Sequence, residues 1–132
     1  MGLFLILAFV VLTFLKLMIV QTNFIKNKKN SMTVKELIDY INSNEFYSLW
    51  DMEASLHYVL KEFPKKVIEN LETDEYGWYT ISTTVYKLED GFVGVRGVSN
   101  IIYIEGKDVK DYCVKCSASE YIEIPFFLYK KK

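Results

Sequence analysis

The 132-residue chain has little of several residue types on which particular classes of protein depend. Its two cysteines are too few for the disulfide framework of a small secreted domain, and it has no Asn-x-Ser/Thr glycosylation sequence. His57 is its only histidine and Arg96 its only arginine. These absences favour a reducing compartment and leave few residues for a histidine-based active site.

Acidic residues are absent from the first 30 positions, which contain four lysines. The remaining residues, 31–132, hold 12 basic and 17 acidic side chains, a net charge of −5. Nucleic-acid-binding domains usually present a basic patch, so this balance predicts that the domain binds no nucleic acid.

The N-terminal segment has the opposite character, because Thr13 and Lys16 are the only polar residues between positions 3 and 20. About 20 apolar residues are needed to cross a bilayer as a helix. We therefore predict a transmembrane anchor over residues 1–25. Lys16 is expected in its last turns, where the aliphatic stem lets the ammonium group reach the membrane interface.

Three lysines, Lys26, Lys28 and Lys29, follow this span directly. By the positive-inside rule they predict a single-pass signal-anchor protein whose C-terminal domain is cytoplasmic. Residues 26–32 form a short juxtamembrane linker in this interpretation. Its lysines, together with Lys16, are predicted to lie at the lipid interface, either contacting headgroups or acting only as stop-transfer charges.

A cleaved export signal is the alternative interpretation of residues 1–20, which would make the chain a small secreted or envelope-facing protein. The apolar stretch from position 3 to 15 has a suitable length for a signal sequence. However, no basic residue precedes it and no small-x-small cleavage site follows it. We therefore favour the retained anchor.

Residues 33–132 are predicted to form one small α+β domain. The sequence Thr33-Val-Lys-Glu36 is a capping box and begins a helix over residues 33–43. Ser48 is the expected cap of a second helix with an apolar face, and Pro64 is expected to stop it.

After Pro64 the apolar residues alternate as in strands. Strands are predicted at 78–88 and at 92–98, with a hairpin turn at Glu89-Asp90-Gly91, and a final edge or bulged strand at 121–129. Residues 67–71 are either an earlier strand or more helix. The predicted fold is thus two helices packed on an antiparallel sheet of about four strands.

Candidate chemistry is sparse. Cys113-Val-Lys-Cys116 is a possible thiol pair, but one such pair cannot supply the four ligands of a zinc site. No metal, no cofactor and no catalytic constellation is predicted, and a thiol-dependent enzyme remains only an alternative. Arg96, within the glycine-spaced sequence GFVGVRG, is the candidate ligand-binding residue, because its guanidinium can hold a carboxylate or phosphate.

Aromatic residues are abundant, with ten tyrosines and nine phenylalanines, and we expect most of them in the core between helices and sheet rather than around a ligand pocket. The glycines of GFVGVRG are expected at bulges or beneath bulky neighbours.

Taken together, the sequence predicts a membrane-tethered, non-enzymatic interaction domain with a protein partner. The partner would add a strand at 121–129 or bind the Arg96 face. The aromatic residues expected in the core are Phe46, Tyr47, Trp50, Tyr58, Trp78, Tyr79, Tyr86 and Phe92.

Overall fold

A computed structural model describes residues 28–124 and 128–132, apart from the side chain of Leu128. Two α-helices are followed by five strands, which form one antiparallel sheet in the order β1-β2-β3-β4-β5. The predicted α+β class is therefore confirmed, with one more strand than expected. The helices are α1 (Val34–Ser43) and α2 (Leu49–Val59), and the strands are β1 (Lys65–Tyr76), β2 (Tyr79–Leu88), β3 (Gly91–Ile101), β4 (Ser117–Ile124) and β5 (Leu128–Lys131).

The predicted anchor over residues 1–25 lies outside the described residues. Among residues 28–124 and 128–132, none of the helices has the length and apolar character needed to span a bilayer.

Both helices begin where the sequence predicts. Thr33 Oγ1 accepts a hydrogen bond from the Glu36 backbone N–H at 3.2 Å, and the Glu36 carboxylate accepts one from Thr33 N–H, which completes the capping box. The Asp90 carboxylate accepts the N–H of Val34 at 3.0 Å. Because Asp90 lies in the β2–β3 turn, this bond fixes the start of α1 at that end of the sheet.

Helix α2 ends at Val59 rather than continuing to Pro64 as predicted. The reason is a pairing with the linker. Lys29 donates its N–H to the Val59 carbonyl at 3.1 Å and accepts the N–H of Lys61 at 2.7 Å. Glu62 then donates to the Asn30 carbonyl at 3.2 Å. These bonds satisfy backbone groups beyond the helix end, so the described part of the linker is held on the domain.

The core lies between the helices and one face of the sheet. Leu37, Ile41 and Met52 on the helices are fully buried, as are Tyr86 and Val93 on the strands. Along β2 the six consecutive residues from Ile81 to Tyr86 are all buried, and β3 also has consecutive buried residues. Because successive strand residues point to opposite faces, both faces are covered in the middle of the sheet. Other buried members of the same cluster are Val34, Leu49, Leu56, Leu60, Leu88, Val95, Cys116 and Ala118.

The two edges of the sheet are built differently. Residues 67–71 belong to β1, an edge strand with three register shifts against β2, and Asn70 and Glu72 within it have positive φ. The predicted final strand at 121–129 is wrong in its extent. It is instead part of a hairpin, in which β4 is an inner strand and the four-residue β5 is the edge.

Asn42 closes a gap in the pairing of β4. Strand β5 pairs with β4 only from Tyr121 onward, so the backbone of Ala118 has no strand partner on that side. The Asn42 side chain takes that place. Its Nδ2 donates to the Ala118 carbonyl at 3.0 Å and its Oδ1 accepts the Ala118 N–H at 2.8 Å. The end of α1 is thereby fixed on the sheet.

Glycines of GFVGVRG lie beneath bulky neighbours, as expected from their spacing. Gly94 is buried, and a Cβ atom at this position would collide with the ring of Tyr121 on the adjacent strand. A Cβ at Gly97 would collide with the sulfur of Cys116. The missing side chains therefore make room for close cross-strand packing.

We expect Gly94→Ala to lower the free energy of unfolding by about 1–3 kcal/mol, because the new methyl group displaces the Tyr121 ring from a packed site. Urea denaturation of the full-length protein in mild detergent, followed by circular dichroism, measures this. Gly77→Ala is the matched control, since no atom lies within 4 Å of a Cβ there. Equal stability of the two variants would contradict the packing described for Gly94.

Candidate binding surface

Large apolar side chains are concentrated on the surface at one end of the domain. Trp50, Tyr76, Trp78, Ile102 and Tyr103 are between 50% and 76% exposed. We call these five residues the aromatic end. Monomeric domains rarely leave such a group of large side chains in water without a role in binding.

The prediction that most aromatic residues are core is therefore wrong for part of the set. Tyr86 is fully buried and Phe46 packs against the core, but Trp50, Tyr58 and Trp78 are exposed. Trp50 and Tyr58 lie on the solvent side of α2, opposite its buried residues, and Trp78 lies in the β1–β2 turn. Position in the fold, rather than residue type, decides their burial.

The fold brings the aromatic end together from three elements. Tyr76 and Trp78 flank Gly77 at the β1–β2 turn, and Ile102, directly after β3, donates its N–H to the Trp78 carbonyl at 2.8 Å. Trp50 is in the first turn of α2. Tyr103 is the second residue after β3, so strand ends and a helix start meet at one place.

Two small clefts of about 200 Å³ each lie within this surface, and both contain Asn100 and Ile101. Trp50 and Tyr103 line one cleft, whereas Trp78 lies in the other. Because the clefts share residues, the aromatic end is a continuous surface with shallow recesses. Such recesses suit protruding side chains of a partner rather than a buried small molecule.

Carboxylates surround the aromatic end. Asp51 lines the cleft that contains Trp50, and Glu75 lines the cleft that contains Trp78. Both carboxylate side chains are exposed. Six carboxylates and three cations occur in the nearby segments, so the field there is negative. The carboxylates are Asp51, Asp74, Glu75, Glu105, Asp108 and Asp111, and the cations are Arg96, Lys107 and Lys110.

Arg96, the predicted ligand-binding residue, already has two partners within the domain. Its guanidinium forms an ion pair with the Asp74 carboxylate and donates to the Glu72 carbonyl at 3.0 Å. Both partners are on β1, so Arg96 reaches across β2 to the bulged edge strand. Anion binding by Arg96 stays a prediction, and it would require replacing the Asp74 contact.

The thiols are free, and the structure separates their surroundings. Cys113 is half-buried, after a short 3-10 helix (Val109–Asp111). Cys116 is buried directly before β4, and its N–H donates to the Phe46 carbonyl at 2.7 Å. Burial raises the pKa of Cys113, and burial, with a smaller effect of the Asp51 charge, raises the pKa of Cys116 to about 12. A raised pKa reduces the reactive thiolate near neutral pH.

His57 is exposed and stacks on the Phe63 ring, with the ring centroids 4.3 Å apart. Within residues 28–124 and 128–132, no group of three or more histidine, cysteine or carboxylate side chains could hold a metal ion.

Lysines predicted at the membrane interface are described in part. Lys29 forms an ion pair with Glu36, and this contact, followed by bonds from Thr33, lowers the pKa of the Glu36 carboxyl. Lys28 is half-buried. Lys16 and Lys26 lie outside the described residues, and contact of any of these lysines with headgroups stays a prediction.

A partly buried polar contact that the sequence did not reveal joins α2 to the sheet. The hydroxyl of the fully buried Tyr86 donates to Glu53 Oε1 at 2.5 Å, and Lys66 Nζ lies 3.0 Å from the same carboxylate oxygen. Burial is the main cause that raises the pKa of Tyr86, with the Glu53 hydrogen bond second. Glu53 is 33 residues from Tyr86, so no local pattern could have found this pair.

Comparison of the chain with models of protein families, with curated proteins and with solved structures found no match.

For the thiols, we expect Cys116 to react with iodoacetamide at least about tenfold more slowly than a cysteine in a short peptide near neutral pH, because its thiolate is scarce and shielded. Cys113 should show a smaller reduction. Mass spectrometry of the alkylated full-length protein measures both rates, and unfolding in guanidinium should bring both to the peptide rate. Rapid alkylation of Cys116 in the folded protein would contradict its burial and raised pKa.

Proposed function

We propose that this chain is a membrane-tethered, non-enzymatic binding domain whose aromatic end binds a protein partner. The single observation that carries the proposal is the exposure of Trp50, Tyr76, Trp78, Ile102 and Tyr103 on one continuous surface. Tryptophan and tyrosine supply much of the binding energy in protein interfaces, because they bury a large area at a small cost in side-chain entropy.

A cationic segment is the partner that this surface fits best. Asp51 and Glu75 can form ion pairs with lysine or arginine side chains at the two clefts, and Trp50 and Trp78 offer ring faces for cation–π contacts. A planar guanidinium can stack on an aromatic ring and bond to a carboxylate at once, which favours arginine over lysine.

Strand addition at a sheet edge, the route considered from the sequence, receives less support. Half of the twelve residues of β1 are charged, and its bulges interrupt the regular row of free backbone groups. At the other edge, β5 is short and contains two lysines. Bulges, short length and charges are the features by which edge strands avoid pairing with other chains.

The linker supports a tether that leaves the aromatic end free. Lys29 pairs with the C-terminal end of α2, whereas Trp50 lies at the N-terminal end of the same helix. Helix α2 has 11 residues, so at a rise of 1.5 Å per residue its two ends are about 15 Å apart. A membrane near the linker would thus lie away from the binding surface.

We expect an arginine-containing peptide to bind the full-length protein and change its tryptophan fluorescence, because both tryptophans, Trp50 and Trp78, belong to the aromatic end. The probe is a peptide of alternating arginine and glycine, and the comparison is a glutamate–glycine peptide of equal length. Tyr103→Ala should weaken binding by about fivefold or more, the effect of losing a hot-spot side chain.

Tyr58→Ala is the matched control, since Tyr58 is as exposed as Tyr103 but lies outside the aromatic end. The proposal is wrong if the glutamate peptide binds equally well, or if the two tyrosine variants lose the same affinity. Circular dichroism of both variants shows whether the fold is retained.

A further inference from the structure

The strand register aligns three lysines across the sheet at the end opposite the aromatic surface. Lys65 on β1 is paired with Lys87 on β2, and Lys87 is paired with Phe92 on β3. The row continues through Tyr121 on β4 to Lys131 on β5. Directly paired residues share a face of the sheet, so Lys65, Lys87 and Lys131 form one row, which we call the lysine row.

The lysine row is exposed, and none of its three ammonium groups forms an ion pair with a described residue. Lys65 and Lys87 also face each other directly. Like charges in directly opposed positions destabilise a strand pair. No described carboxylate lies within ion-pair distance of either ammonium group, so both groups are available to an anion outside the domain.

Other lysines gather at this end of the domain. This end contains the β2–β3 turn, the start of β1 and the end of β5. It also contains the linker, whose Lys29 carbonyl accepts a hydrogen bond from the Lys61 N–H. Ten lysines and eight carboxylates occur there, so lysines outnumber carboxylates, whereas carboxylates outnumber cations at the aromatic end. The lysines are Lys28, Lys29, Lys35, Lys61, Lys65, Lys66, Lys87, Lys130, Lys131 and Lys132, and the carboxylates are Glu36, Glu53, Glu62, Glu69, Glu89, Asp90, Glu120 and Glu123.

We propose that the lysine row docks on the anionic lipid headgroups of the bilayer that holds the N-terminal segment. Neighbouring strands are about 4.8 Å apart, so Lys65 and Lys87 are separated by roughly that distance and Lys131 lies about 14 Å farther along the row. A single small anion cannot contact charges spread over this length, whereas a headgroup surface can.

The membrane assignment rests on the proposed tether, and the position of the linker supports it. Between the predicted end of the span at residue 25 and the docked Lys29 lie only three residues. Three extended residues reach about 10 Å, so a tethered domain would be held with its lysine-rich end beside the headgroups. Basic residues close to a membrane anchor add electrostatic attraction to an anionic leaflet.

Lysine acylation of the full-length protein tests this proposal. The protein is reconstituted in vesicles of phosphatidylcholine alone or of phosphatidylcholine mixed with phosphatidylglycerol, and the rate of acetylation at each lysine is measured by mass spectrometry. Lys65, Lys87 and Lys131 should react about fivefold more slowly in the anionic vesicles, the effect expected for a lysine attracted to an anionic surface. High salt should remove the difference, because it screens the charges.

Lys107, Lys110 and Lys115 are the internal controls, since they are exposed and lie in the segment between β3 and β4. Their rates should not depend on lipid charge. Comparing both sets within the same molecules removes any effect of which side of the vesicle the domain occupies. Equal rates for the lysine row in both vesicles, or the same slowing at the controls, would overturn the proposal.

A separate measurement tests whether the N-terminal segment holds the protein in the membrane. Alkaline extraction of the neutral vesicles should leave the protein in the membrane, and its release would count against the tether. Protection of the lysine row that depends on anionic lipid would still support the headgroup contact in that case. A triple variant, K65Q/K87Q/K131Q, should lose the effect of anionic lipid on the remaining Lys61, whereas K107Q/K110Q/K115Q should keep it.

Discussion

The backbone pairing between the linker and the end of α2 is the contact on which the proposed arrangement of the protein depends. Three hydrogen bonds of 2.7–3.2 Å join Lys29 and Asn30 to residues 59–62. They stop α2 five residues before Pro64, and they turn a polar segment that could have been a free tether into part of the domain. The position of Lys29 and Asn30 on the domain is thereby set by the same bonds that lie at the end of the helix.

In the proposed arrangement, with a membrane beside this linker, the two ends of the domain face different surroundings. The aromatic end presents tryptophan and tyrosine rings among carboxylates, whereas the opposite end presents the lysine row. Such a separation of charge stabilises neither the core nor the sheet. The repulsion between the facing Lys65 and Lys87 destabilises the pairing of β1 with β2. We interpret it as an adaptation to two different contacts, an anionic bilayer on one side and a cationic protein segment on the other.

Local patterns predicted the parts of the fold that depend on neighbouring residues. The capping box at Thr33 gave the start of α1, and the turn at Asp90 gave the β2–β3 hairpin, because each signal lies within four residues. Long-range contacts were not predictable. The end of α2 at Val59 depends on a segment about 30 residues away, and the hairpin within 121–129 has no glycine or asparagine turn signal. The exposure of Trp50 follows from which side of α2 meets the sheet, which residue type alone cannot show.

Tryptophan quenching in the full-length protein tests most directly whether the two ends face different surroundings. Trp50 and Trp78 are the only tryptophans, and both lie at the aromatic end. In vesicles containing phosphatidylglycerol and lipids brominated on their acyl chains, we expect tryptophan fluorescence that acrylamide in the water quenches and the brominated lipids do not. Strong quenching by the brominated lipids, with protection from acrylamide, would mean that the aromatic end lies on the bilayer and would contradict the proposed orientation of the domain.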